Sequence, residues 1–290
     1  MKSNWLVALA LLVACRACRD DDLGKRPKIR VTTPEPVEGS ITATKHEVTL
    51  SSLVANGQYW RIESDHGPIH VWLPRGYDVK RAETIVYIHG YFIHVDDAWK
   101  QYELPEKFAA SGINAMFIAI EGPSTFTEPV AWESMQPLLD TVEKAIGQPW
   151  PKRRVVAFGH SAAWRTLLGW LDEAQLDTVV LLDAAYGEIS QYKQWVEASP
   201  KHRLIDVGDD TQKWTEQLHA ELPDSVVLDQ FPTVEEGIPA SARKARILYI
   251  KSNLGHMPLV TNKTAIPLIL KTLRARRVLD EPLAEILATP

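Results

Sequence analysis

Val155-Val156-Ala157-Phe158-Gly159-His160-Ser161-Ala162-Ala163 runs from an apolar segment through glycine, histidine and serine into two alanines. The segment Arg154 to Phe158 is β-branched and aromatic without polar alternation, which predicts a strand covered on both faces. Leu167, Leu168 and Leu171 follow at helical spacing, so a helix begins just after Ser161. A strand that passes directly into a helix is the repeating unit of a parallel sheet. The same alternation extends outward on both sides. Further apolar runs occur at Thr84 to Ile88, Asn114 to Ile120, Thr178 to Leu182, Arg203 to Val207 and Arg246 to Ile250. Between the runs ending at Ile120 and Phe158, Met135, Leu138, Leu139, Val142 and Ile146 trace one helical face, stopped by Gly147 and Pro149. A closing helix is expected around Pro267 to Ala275.

Upstream, Gln58 to Glu63 and Ile69 to Leu73 have strand composition and flank Ser64-Asp65-His66-Gly67-Pro68, a turn sequence. They predict an antiparallel hairpin at the sheet edge. The expected fold is therefore α/β: one domain over 46–290, a mostly parallel central sheet with helices on both faces and an N-terminal antiparallel hairpin. The 290 residues, 45% hydrophobic and 24% charged, suffice for one large core. A net charge of -5 supplies no basic field, so nucleic acid is not an expected partner. Both cysteines, Cys15 and Cys18, precede the expected domain and cannot staple it.

The first residues have the character of an address. Lys2 supplies a basic start, and Trp5 to Val13 is an apolar run too short to span a bilayer, so residues 1–14 are expected to be a signal peptide. Leu12-Val13-Ala14-Cys15 resembles the bacterial lipobox, which implies lipidation at Cys15 and an exported chain anchored to the cell envelope. Cleavage after Ala14 or Ala17 without lipidation would instead give a secreted protein. Residues 15–45 are charged and rich in Pro, Thr and Glu, the composition of a tether.

Ligand sites in parallel α/β sheets lie beyond the carboxyl ends of the strands, and five such ends carry suggestive residues. Gly159-His160-Ser161-Ala162-Ala163 resembles the nucleophile elbow of α/β-hydrolases, Gly-x-Ser-x-Gly, with Ala163 in place of the last glycine. Tyr87-Ile88-His89-Gly90-Tyr91-Phe92 resembles the His-Gly segment that ends the third strand of that family. Leu248 to Pro258 places His256 in a loop after the last strand, where the family keeps its general base. The resemblance implies Ser161 as nucleophile, His256 as base, and an oxyanion site made by the backbone N–H of Tyr91 or Phe92 with that of Ala162. The acid is Asp183, directly after Leu182, or Asp209 or Asp210, after Gly208. Leu181 to Gly187 resembles a Leu-Leu-Asp-Ala-x-Tyr-Gly segment of related sequences, which favours Asp183.

The implied chemistry is cleavage of a carboxylic ester through an acyl-enzyme, with no cofactor or metal. The substrate is then a small-molecule or envelope acyl compound. An amidase or peptidase would use the same residues, and a non-catalytic envelope scaffold would use none of them. Other groups have plainer readings. His66 and His70 are separated by a turn and are expected to be exposed hairpin residues rather than metal ligands. His89 and His160 are expected to support the loop and the elbow. Most of the ten tryptophans belong to the core, with Trp164 the best candidate to line an acyl pocket. Asp96 and Asp97 suit a solvated helix start.

Overall fold

In the computed structural model, which describes residues 54–278, the apolar runs assemble into a nine-stranded sheet among the described residues. The strands are β1 (Gln58–Ile62), β2 (Ile69–Leu73), β3 (Glu83–Ile88), β4 (Ala115–Ile120), β5 (Val155–His160), β6 (Leu176–Leu182), β7 (Arg203–Gly208), β8 (Val226–Leu228) and β9 (Ile247–Lys251). Their spatial order is β1-β2-β4-β3-β5-β6-β7-β9-β8. β1 pairs with β2 and β2 with β4 antiparallel, and all other pairs are parallel. This is the α/β-hydrolase arrangement expected from the sequence, hairpin edge included.

The helices are α1 (Val95–Gln101), α2 (Leu104–Ser111), α3 (Met135–Ile146), α4 (Trp164–Trp170), α5 (Ile189–Ala198), α6 (Gln212–Ala220), α7 (Ala240–Lys244), α8 (Pro258–Thr261) and α9 (Ala265–Leu270), with a 3₁₀ turn over Ser161–Ala163. Alternate side chains on each strand divide the core in two. Val86, Ile88, Ala157, Val179 and Leu181 pack with Leu138 and Leu139 of α3, Leu167 and Trp170 of α4, and Tyr192 of α5. Their neighbours Ile85, Tyr87, Phe158, Val180 and Leu182 pack on the other face with Phe108 of α2 and Leu270 of α9. Both faces being covered explains why these strands are continuously apolar rather than alternating.

The order β4-β3-β5 contains the switch point: successive connections leave β3 toward opposite sides of the sheet, which opens a crevice beyond the carboxyl ends of β3 and β5. The sequence reading missed one strand, and one expectation needs correction. β8 is too short and too exposed to register as an apolar run. His70 is not exposed: β2 lies between β1 and β4 and is buried throughout. The imidazole is 1% exposed, hydrogen-bonded to the Tyr59 hydroxyl at 2.7 Å and Asp96 Oδ1 at 2.8 Å. Asp96 likewise does more than favour the start of α1, because Arg61 donates to both its oxygens at 2.7 Å. The expected signal peptide, Cys15 and the tether lie outside the described residues. No helix of the described residues is long and apolar enough to cross a membrane.

Candidate active site

Ser161 sits where β5 ends, and its backbone is forced to φ +53° before the chain turns into α4. Left-handed backbone costs an L-residue about 1–2 kcal/mol, so the surrounding packing must hold it. Gly159 shows how. A Cβ there would stand 2.6 Å from Leu167 Cδ1 and 2.8 Å from Ala163 Cβ, so the missing side chain lets the helix close on the strand. Ala163, fully buried, fills that space with the one methyl group by which it departs from the family pattern.

Gly90 meets a different need. A Cβ on it would come within 2.7 Å of Ser161 Cβ and 3.2 Å of its Oγ. Glycine here permits the loop after β3 to touch the serine rather than supplying an unusual φ. His89 holds that loop, fully buried, its Nδ1–H donating to the Gly90 carbonyl at 2.7 Å and its Nε2 accepting from Gly122 N–H at 3.0 Å. Of the two residues that follow, Phe92 gives its N–H to the Ser124 carbonyl at 2.8 Å. That donor is engaged, so of the two upstream N–H groups expected to pair with Ala162 the one on Phe92 is already taken. Ala162 stands in the first turn after the elbow, where backbone N–H groups lack helical acceptors.

Asp183 ends β6, also with positive φ (+49°), and is completely buried. Its Oδ1 accepts from Asp209 N–H (2.9 Å), Thr211 N–H (2.9 Å) and the Thr211 hydroxyl (2.7 Å). Its Oδ2 accepts from Asp210 N–H (3.1 Å) and His256 Nδ1 (2.5 Å). Burial by itself would raise the carboxyl pKa, but the bonds from His256, Thr211 and Asp209 outweigh it and hold the group well below the ordinary carboxylate range. The other two acid candidates occupy different places. Asp209 accepts Gly255 N–H at 2.8 Å, bracing the loop that carries His256. Asp210 Oδ2 lies 3.9 Å from His256 Nδ1 on a side chain 62% exposed. The structure thus brings Asp183 onto His256 and makes the backbone of its rivals part of the cradle around it.

His256 is partly exposed, and its pKa is raised, chiefly by the hydrogen bond to Asp183 against the opposing effect of burial. Behind it the His160 ring packs at 4.6 Å, tilted by 37°, and His160 Nε2 lies 3.3 Å from the His256 carbonyl. Burial pushes the His160 pKa down to about 3, so this imidazole is neutral and acts as a donor to the loop. Ser161 and His256 line one cleft of about 730 Å³, together with Tyr91, Phe126, Trp164 and Tyr186. The sequence pattern did not single out Tyr186. It lines this cleft with Ser161, and burial raises its pKa to about 12. The available signal was its place in the Leu181 to Gly187 segment.

Donor atoms of Asp183, Asp210 and His256 fall within 4.8 Å of one another, close enough to share a metal ion. The donor set does not suit one: Asp183 already accepts five hydrogen bonds from N–H and O–H groups, which occupy the lone pairs a cation would need. His66 is in the turn against the Trp132 ring at 4.5 Å, and no metal-holding group that includes it or His70 occurs among the described residues.

No protein-family model and no curated protein sequence matches this chain. Solved structures do. A feruloyl esterase module from Clostridium thermocellum, complexed with sinapinate, is 12% identical over 83% of this chain and 98% of its own, with a TM-score of 0.49. A fluorophosphonate-binding serine hydrolase from Staphylococcus aureus is 13% identical over 74% of this chain and 98% of its own (TM-score 0.48). A Pyrococcus furiosus esterase is 12% identical over 80% and 98%, with a TM-score of 0.40. The α/β-hydrolase arrangement stands on the strand order and directions above, independently of these distant likenesses.

Proposed function

We propose that this chain is a serine hydrolase that cleaves carboxylic esters, with Ser161 as nucleophile, His256 as general base and Asp183 as the acid that orients it. The observation that carries the reading is the 2.5 Å bond to a fully buried Asp183 from Nδ1 of His256, which lines the same cleft as Ser161. A carboxylate so placed fixes the imidazole with its proton on Nδ1, leaving Nε2 as the basic atom. Ser161 Oγ attacks the ester carbonyl while its proton passes to His256. The oxyanion is received by the N–H groups of Ala162 and Tyr91, each such donor being worth about 3–4 kcal/mol in transition states of this kind. The imidazolium returns the proton to the departing alcohol, leaving an acyl-Ser161. Water activated by the same imidazole then releases the acid and restores the serine.

Export as an envelope lipoprotein belongs to the same proposal and is supported by the sequence alone: Lys2, the run Trp5 to Val13, and Ala14-Cys15. The enzyme reading is tested with a fluorophosphonate probe. Covalent labelling of the intact chain that vanishes in Ser161→Ala is expected, together with turnover of short acyl esters. Folded protein that takes no label and turns over no ester would overturn it in favour of a non-catalytic scaffold.

A further inference from the structure

Two of the most exposed large apolar side chains among the described residues, Phe92 (81% exposed) and Phe126 (72%), stand together at the mouth of the Ser161 cleft. They are 6.0 Å apart, ring centre to ring centre, and Tyr91 completes the group at 4.5 Å from Phe126 and 6.0 Å from Phe92. Loop phenylalanines left in water are unfavourable unless something covers them, and free loops would fold such rings inward. These loops are held open. Phe92 is fixed in left-handed backbone (φ +66°) by its N–H bond to the Ser124 carbonyl at 2.8 Å. Ser124 is locked in turn, its N–H and hydroxyl reaching Glu128 Oε2 at 2.8 and 2.5 Å.

Arg165, four residues beyond Ser161 on α4, ties the same loop to the catalytic helix. Its guanidinium donates to the carbonyls of Glu128 (2.7 Å), Thr125 (3.2 Å) and Phe126 (3.5 Å), and to the Tyr91 hydroxyl (3.4 Å). A strained residue, a locked turn and an arginine with four contacts thus converge on keeping three rings at the cleft mouth. Backbone strain persists only where the surroundings over-determine it.

We infer that Tyr91, Phe92 and Phe126 form a prebuilt aromatic clamp for the apolar part of the ester, so that the preferred substrates carry an aryl or long alkyl group beside the scissile bond. This rests on the hydrolase reading for its chemistry, whereas the clamp itself is a binding surface and can be tested without turnover. Such a group would cover rings that are otherwise wet, and each contact of that size corresponds to about a tenfold gain. Arg165 is a positioning residue, acting on the rings and not on the reacting atoms.

The test has two substrate arms. With the leaving group constant, 4-nitrophenyl 3-phenylpropanoate is compared with 4-nitrophenyl acetate. With the acyl group constant, benzyl acetate is compared with ethyl acetate by pH-stat. A preference in the first arm places the apolar group on the acyl side, and one in the second on the alcohol side. In the arm that shows it, Phe92→Ala and Phe126→Ala should each lower the large-to-small ratio of kcat/KM about tenfold, through KM. Arg165→Met should lower it likewise with unchanged melting temperature. Val227→Ala, exposed on β8 at the far sheet edge, serves as control.

Calorimetric titration of Ser161→Ala with 2-naphthyl acetate and with ethyl acetate separates the two readings. Tight naphthyl binding without turnover by the native chain would sink the hydrolase reading and leave the clamp standing. Ester turnover with no large-group preference in either arm, or equal losses on large and small esters in the variants, would overturn the clamp.

Discussion

At the scale of single residues, the site is marked by backbone strain that no composition reveals. Phe92, Ser161 and Asp183 each follow a strand end and each has positive φ (+66°, +53° and +49°). A serine between small residues was legible as a sharp strand-to-helix turn, and the rim aspartates as candidates for an acid. What the pattern left open was which aspartate, because Asp183, Asp209 and Asp210 all follow sheet strands. Spatial packing separates them: the N–H groups of Asp209 and Asp210 bind the Asp183 carboxylate, so only Asp183 is buried and paired with His256.

A pH dependence follows from the same pair. The imidazole works as a base only when neutral, and Asp183 raises its pKa above the ordinary value of about 6.5. The rate constant kcat/KM is therefore expected to rise with pH through an inflection above 6.5. Asp183→Asn should move that inflection down and lower kcat by about 10⁴-fold, the loss seen when such a carboxylate is neutralised in another triad. An unmoved inflection in Asp183→Asn, or a larger fall in Asp210→Asn, would refute the assignment. The depressed pKa of Asp183 also stabilises the fold at neutral pH, a contribution present above about pH 4 and lost as acid titrates the carboxylate.

At the scale of elements, the cleft walls depend on ties that helical periodicity does not disclose. Lys107 of α2 is 2% exposed, and its ammonium donates to the carbonyls of Tyr102, at the end of α1, and Val260 in α8, the latter at 2.8 Å. Tyr102 and Thr261, beside those carbonyls, line the cleft. A lysine on a helix reads in sequence as a solvated face, and only the packing of three helices shows it as a bracket. Lys107→Met should cost about 1–3 kcal/mol by leaving buried carbonyls unpaired. Burial lowers the Lys107 pKa to about 8, below the unfolded value of about 10.4. The native state therefore gives up its proton first, and stability should grow as pH rises from about 8 toward 10. Urea denaturation at pH 7.5 and 9.5 checks this; a variant that kept the native rise would show that Lys107 is not its source.

At the scale of the whole molecule, the sheet divides two apolar cores but also encloses a carboxylate that neither core accommodates. Asp206, in the middle of β7, is fully buried, with His219 Nε2 standing 3.5 Å from its Oδ2. Burial raises its pKa, so the folded state holds a proton that the unfolded chain releases near pH 4. This contribution is full below that pH and declines as pH rises toward the folded value. Asp206→Asn should flatten the decline in melting temperature above pH 4, and an unchanged profile would exclude Asp206 as its cause. The alternation of apolar runs with helical stretches, the edge hairpin and the order of Ser161, Asp183 and His256 beyond strand ends were all determined by the sequence itself. Those features depend on local periodicity and on short steric rules at Gly159 and Ala163. The burial of His70 and Asp206, the cradle that distinguishes Asp183, the place of Tyr186 in the cleft that Ser161 lines and the open posture of Phe92 and Phe126 were decided only by tertiary structure. Each depends on groups that lie tens of residues apart in the chain and meet only when the strands take the order β4-β3-β5-β6-β7.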